Sequence, residues 1–236
     1  MGTTFTDLNA DVANLLVLDS SSNEEYSSFL PTAISNAQIR ICRELDFLGA
    51  VTTSTVGPLT ANNRNIDWTN SFFAIEQINI ISPAGTSNPE LGTRNPVLFA
   101  TKDFCDVAYT SSAGAGIPQY LGRVTQSAGV LGPWPDGAYY AEVTGTQRPA
   151  VLSGAAPTNF ISLYLYDLLL AAVMIEMSAW QLNFNPQPDN AAQSANWTAH
   201  YGELLKSAII EEARKRFASE GWSSAQPAPT ATPPRT

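Results

Sequence analysis

Histidine appears once in this chain, at position 200, and cysteine only twice, at 42 and 105. One imidazole leaves little to build a nucleophilic triad or a multi-histidine metal centre. Two thiols make no disulfide framework, and Cys42 falls on the apolar side of a predicted helix, where a reduced core thiol is expected. Charge is scarce as well: 14% of the residues are ionic, against about 25% in ordinary soluble domains. With 21 acidic and 12 basic residues the formal net charge is −9. That disfavours a free-standing nucleic-acid binder, which needs a basic face for phosphates. Met1–Thr6 has neither the basic start nor the apolar run of a signal peptide, so none is expected. MGTTFT fits the short myristoylation pattern, but six residues match it cheaply and an unmodified terminus is expected.

What is present is Thr, Ser, Asn and Ala in quantity, a surface suited to facing other protein. Thr6–Leu18 reads as a short helix capped by Thr6 or Asp7, with Leu8, Val12, Leu15 and Leu16 on one side. A second helix is predicted from Tyr26 or Pro31 to Leu48, with proline in the first turn. Ile34, Ala37, Ile41, Leu45 and Leu48 then form an inner stripe, with Arg40, Arg43 and Asp46 outside it.

After Gly49 the pattern changes to short β-branched and aromatic segments punctuated by Gly, Pro, Asn and Asp. These are VTTSTVGPL, RNIDW, FFAIEQINIIS, YLGRVTQ, GVLGPWP and YYAEVTGTQ, with a helical ATKDFCDVAY among them. Phe160–Leu182 is apolar all around a helical wheel, so it must be buried on every side, by a bilayer or by a bundle. Pro157 and Thr158 open this helix, NFNPQPD (Asn183–Asp189) breaks it, and a last helix runs from Asn190 to Glu220. There Trp197, Tyr201, Leu204, Leu205 and Ala208 make one stripe. Ile210, Ala213 and Phe217 make another about half-way round, as if the helix changed packing partner. Gly221 signals the end of the helix, and WSSAQPAPTATPPRT follows, extended and without a core of its own.

Candidate chemistry is thin. Twenty-three residues would span a bilayer. However, Asp167 and Glu176 lie within Phe160–Leu182, each costing about 2.5–3.5 kcal/mol near a membrane centre, so the bundle is preferred. Nine positions apart, these two carboxylates point to opposite faces and cannot act as a pair. SSAGAGIP (Ser111–Pro118) lacks the Gly-Lys-Ser/Thr of a phosphate loop and reads as a loop tip. Asn196-Trp197-Thr198 fits a glycosylation sequon inside a predicted helix and is discarded. Arg214, Lys215 and Arg216 form the one basic cluster. Glu211 and Glu212 precede Lys215 and Arg216 by four residues, so helix ion pairs account for it before DNA does.

Several stretches together resemble the head–tail adaptor (connector) proteins of tailed bacteriophages, the short-tailed type above all. They are QIRICRELDF, FFAIEQINIISP, RNPVLFATKDFCDVAY, GIPQYLGRV, GPWPDGAYYAEVTGTQRPAVLS, and the run from Pro157 to SAIIEEARKRFASEGWSSAQPAPTATPPRT. The expected fold is α+β, an antiparallel helical bundle with an inserted β-rich unit and an extended C-terminal arm. Its parts are residues 1–49, 50–156, 157–221 and 222–236. The resemblance implies a non-enzymatic virion protein at the phage neck, assembled in the host cytoplasm and needing no cofactor or metal. It implies a ring, usually of twelve copies, between the portal protein and a tail nozzle or tube protein, with DNA passing through the channel. The arm residues Trp222, Pro227, Pro229, Pro233, Pro234 and Arg235 become candidate contacts to the portal or a neighbouring subunit. Ile210, Ala213 and Phe217 become candidate subunit-interface positions. The rival readings are another tail-completion protein, a virion-associated hydrolase using Asp103 or Asp136, and a membrane-active protein.

Overall fold

Thr4 accepts the Asp7 N–H on its side chain while the Asp7 carboxylate takes the Thr4 N–H, and this reciprocal cap starts α1 (Phe5–Leu16). The cap expected at Thr6 or Asp7 is therefore Thr4, with Asp7 as its partner three residues in. The computed structural model describes residues 4–17, 24–68, 72–184 and 188–219. Helix α2 (Glu24–Glu44) begins earlier than predicted, so Pro31 lies inside it rather than in its first turn. The proline removes one helical hydrogen bond there, and the burial of Tyr26, Leu30, Ile34, Ala37 and Ile41 on the same helix outweighs that loss. A 3-10 turn, Leu48–Ala50, follows instead of further α-helix, and it leaves Leu48 40% exposed.

The chain divides into two compact units, Val51–Arg148 and the flanking segments Met1–Ala50 with Pro149 onward. The first holds strands β1 (Val51–Val56), β2 (Asn65–Asp67), β3 (Phe72–Ser82), β4 (Thr93–Pro96) and β5 (Leu98–Ala100). Helix α3 (Lys102–Ala108) follows, then β6 (Tyr120–Arg123), β7 (Ala128–Gly132) and β8 (Tyr140–Gln147). They form two four-stranded sheets, β1-β8-β3-β4 and β2-β7-β6-β5. Every pairing is antiparallel except β5 with β6. Ile78, Ile80, Ala141 and Val143 from one sheet share a core with Ile66, Leu121 and Leu131 from the other. Trp68 is buried in that core and donates from Nε1 to the Gln126 carbonyl at 2.8 Å. The short strands β4 and β5 were not marked by the sequence pattern; Val97 between them is buried, and the chain crosses there from one sheet to the other.

In the flanking unit, Asn159 caps α4 (Phe160–Tyr164), and Leu165 (φ −130°, ψ 38°) interrupts the helix before α5 (Tyr166–Phe184). The single helix expected from Pro157 is thus two, and the cap is Asn159. Leu165 still donates to Ile161 and accepts from Leu169, so the break costs little hydrogen bonding. Leu168, Leu169, Ala171, Ala172, Val173, Met174 and Met177 are buried, the all-round burial that the apolar wheel requires. Helices α1, α2 and α6 (Pro188–Ser219) cover them. Phe29 stacks on Trp180 with centroids 5.9 Å apart, and the Tyr166 hydroxyl donates to Asp11 of α1. Asp167 is exposed, while Glu176 meets Asn36 of α2 at 3.5 Å. The α+β class is as expected, with α5 and α6 as an antiparallel hairpin joined across residues 185–187.

Candidate interaction surfaces

Helix α6 carries the row that the sequence singled out. Tyr201 and Ala208 turn into the bundle, and Trp197, Leu204 and Leu205 pack beside them. One turn beyond Ala208 the inward position belongs to Glu212, only 2% exposed. Its carboxylate accepts the Leu48 N–H at 3.0 Å and the Lys215 ammonium at 2.7 Å. The inward face of α6 therefore continues in register, but with a carboxylate in place of an apolar side chain. Ile209, Ile210 and Ala213 point outward and are exposed. The second apolar stripe is thus a surface row, and no second partner within the described chain covers it. The Phe217 side chain and all the arm positions, Trp222, Pro227, Pro229, Pro233, Pro234 and Arg235, lie outside the described residues.

Lys215 is held by Glu211 and Glu212, both at 2.7 Å. Burial works against its charge, yet the hydrogen bonds to the two carboxylates outweigh it and keep the ammonium's pKa above its usual value. The expected pairing of Glu211 with Lys215 is present, and Glu212 pairs with Lys215 as well; the expected pair of Glu212 with Arg216 involves a side chain outside the described residues. Nearby, Phe160 stacks on Phe47 (5.2 Å, 5°) and meets Tyr164 at a tilt (4.9 Å, 38°), and a Cβ at Gly49 would lie 2.2 Å from its ring.

On α2, Arg40 lies 4.5 Å from the centre of the Tyr201 ring, and the Tyr201 hydroxyl donates to Glu44 at 2.7 Å. Burial first, and then this carboxylate, push the phenol's pKa well up. Beside it is an open depression of 410 Å³ lined by Asn36, Ile39, Arg40, Arg43, Glu44 and Glu176.

The β unit offers two contrasting faces. Gln77, Asn79, Glu142 and Arg94 form a hydrogen-bonded polar chain on the β1-β8-β3-β4 sheet. On the other sheet, Leu98 and Phe99 of the edge strand β5 are exposed, as are Phe104 and Val107 of α3. Asp103 lies exposed in the first turn of α3. Asp136 accepts the Tyr139 hydroxyl at 2.7 Å, and burial ahead of that bond raises the Tyr139 pKa to about 12. His200 is exposed, its ring set against Trp197 at 6.0 Å. Among the described residues no group of three or more His, Cys, Asp or Glu could hold a metal ion, and no helix is long and apolar enough to cross a membrane.

These surfaces suit protein partners. No curated protein matches the chain. A family model described as SU10 adaptor protein matches residues 3–228. The chain belongs to that family, and so to the structural head–tail adaptors of bacteriophages, components of the virion neck.

Proposed function

We propose that this SU10-family adaptor forms a ring of twelve copies under the portal, joins capsid to tail and lines part of the DNA channel. The observation that carries the ring reading is the row Ile209, Ile210 and Ala213, exposed on α6 although its chain carries so little surface charge. A neighbouring subunit covering that row would remove from water what the chain's own bundle leaves exposed. The helical part docks on the portal protein, and the opposite side receives the tail nozzle or tube protein. The arm, residues 222–236, orders as it docks on the portal or an adjacent subunit, offsetting the entropy cost with the interface it covers.

Twelve copies at −9 each bring a formal −108 to the ring. Acidic groups facing the channel would repel phosphate and let DNA slide without sequence-specific binding. Assembly takes place on the portal in the host cytoplasm, from a folded monomer. Native mass spectrometry of the purified chain, alone and mixed with portal, tests this. The expected result is a monomer alone and twelve copies per portal in the mixture. A chain that does not associate with portal overturns the proposal, and stable twelve-copy rings formed without portal overturn the templated route.

A further inference from the structure

A three-ring ledge stands on the β unit. Phe104 of α3 meets Tyr120 of β6 edge-on at 5.2 Å and Tyr109 at 6.5 Å, and the two tyrosine rings are 6.1 Å apart. The ledge is built rather than incidental. The Tyr109 ring lies so close over Gly132 that a Cβ there would approach it to 2.5 Å, and the Tyr109 carbonyl accepts Trp134 Nε1 at 3.0 Å. Leu98, in register with Tyr120, extends the apolar surface and is 62% exposed. Among the described residues neither tyrosine hydroxyl has a hydrogen-bond partner, and Asp103, next to Phe104, has no ion pair.

Fixed, half-exposed rings with free phenol donors fit one ligand conformation well. A polyproline II strand presents flat proline rings to aromatic faces and unpaired carbonyls to hydroxyl donors, and it needs no N–H from its prolines. The chain itself contains such a ligand: within PAPTATPPRT are Pro227, Pro229, Pro233 and Pro234, followed by Arg235, whose charge complements Asp103. We propose that Phe104, Tyr109 and Tyr120 form a polyproline II docking site whose occupant is the segment Pro227–Arg235 of a second copy of this chain. The proposal rests on reading residues 222–236 as a docking arm, and it names the chemistry of one site that the arm uses.

The test uses the full-length chain with Pro227, Pro229, Pro233 and Pro234 all replaced by Ala, so that arms of other receptor copies do not compete. A fluorescent peptide of residues 222–236 is titrated against it by anisotropy. The expected result is saturable binding, weakened about tenfold by Phe104→Ala and clearly weakened by Tyr109→Phe combined with Tyr120→Phe. The double variant keeps the rings and loses only the hydroxyls, and unchanged melting temperatures confirm folding. A peptide with the four prolines replaced by Ala should not bind. No saturation, or equal affinity for all receptor variants, overturns the ledge. Portal pull-down with the Phe104→Ala variant separates the two ideas: retained portal binding leaves the arm–portal reading intact whatever happens at the ledge.

Discussion

The Glu212 carboxylate takes the backbone N–H of Leu48 at 3.0 Å, tying the last helix to the turn that ends the first helical segment. A buried carboxylate with two charge-assisted partners is stable where it is and costly to disturb. Glu212→Ala leaves the Leu48 N–H without its acceptor and should cost about 1–3 kcal/mol. Urea unfolding followed by far-UV circular dichroism measures it, and Glu212→Gln, which keeps an acceptor oxygen, should recover part of the loss.

The same residue marks where the sequence stops being legible. The helix spacings, the strand-rich middle and the all-round burial of α5 follow from apolar periodicity, which depends only on local order. That spacing also marks the row Ile210, Ala213 and Phe217. It read the row as a second packing face because a buried glutamate looks like a surface residue until its partner, 164 positions away, is known. The strands β4 and β5 escaped for a related reason. At four and three residues they are too short to show a period, and long-range pairing with β3 and β6 alone defines them. The ledge was hidden likewise, since Phe104, Tyr109 and Tyr120 come together only through the packing of α3 on β6.

Ile210→Glu should separate folding from assembly. The side chain is exposed, so unfolding free energy should change by no more than about 0.5 kcal/mol. In the ring, the same charge would be buried against a neighbour, and the number of copies recovered on portal should fall sharply. Sedimentation velocity of chain–portal mixtures reads this directly, with Ala213→Glu as a second variant on the same row.

Gly145 lies in β8 where the register with β3 is irregular, and a Cβ there would sit 2.3 Å from the Ala74 carbonyl oxygen. The obstructing atoms are backbone, so no rotamer change relieves the clash. Gly145→Ala should destabilise the β unit by about 1–3 kcal/mol, the usual range for overpacking. Differential scanning calorimetry should show a lower transition temperature.

Acid should loosen the polar chain on the same sheet. The hydrogen bonds from Arg94 hold the Glu142 carboxyl below its ordinary value of 4.5, against burial and with help from Asn79. A depressed carboxylate contributes stability that is complete above its unfolded pKa and is lost as pH falls through its folded pKa. Wild-type melting temperature should therefore drop more steeply below pH 4.5 than that of Glu142→Gln, while the slopes agree near neutrality. Thermal melts across that range decide it, and parallel slopes throughout would remove Glu142 from the account.

Removing residues 222–236 should leave the fold and abolish stable portal binding. Among the described residues, every core residue of the two hydrophobic clusters lies before that segment, the last being Ala208, so no buried contact among them is lost. Arm-mediated binding differs from binding through the α6 row in one measurable respect. An arm that orders on docking contributes mainly by slowing dissociation, whereas the row contributes only once neighbours are in place. Surface plasmon resonance on immobilised portal should show a fast-dissociating truncated chain at every concentration, and a full-length chain whose release slows as the ring fills. Equal dissociation rates for the two would mean that the arm takes no part in holding the portal.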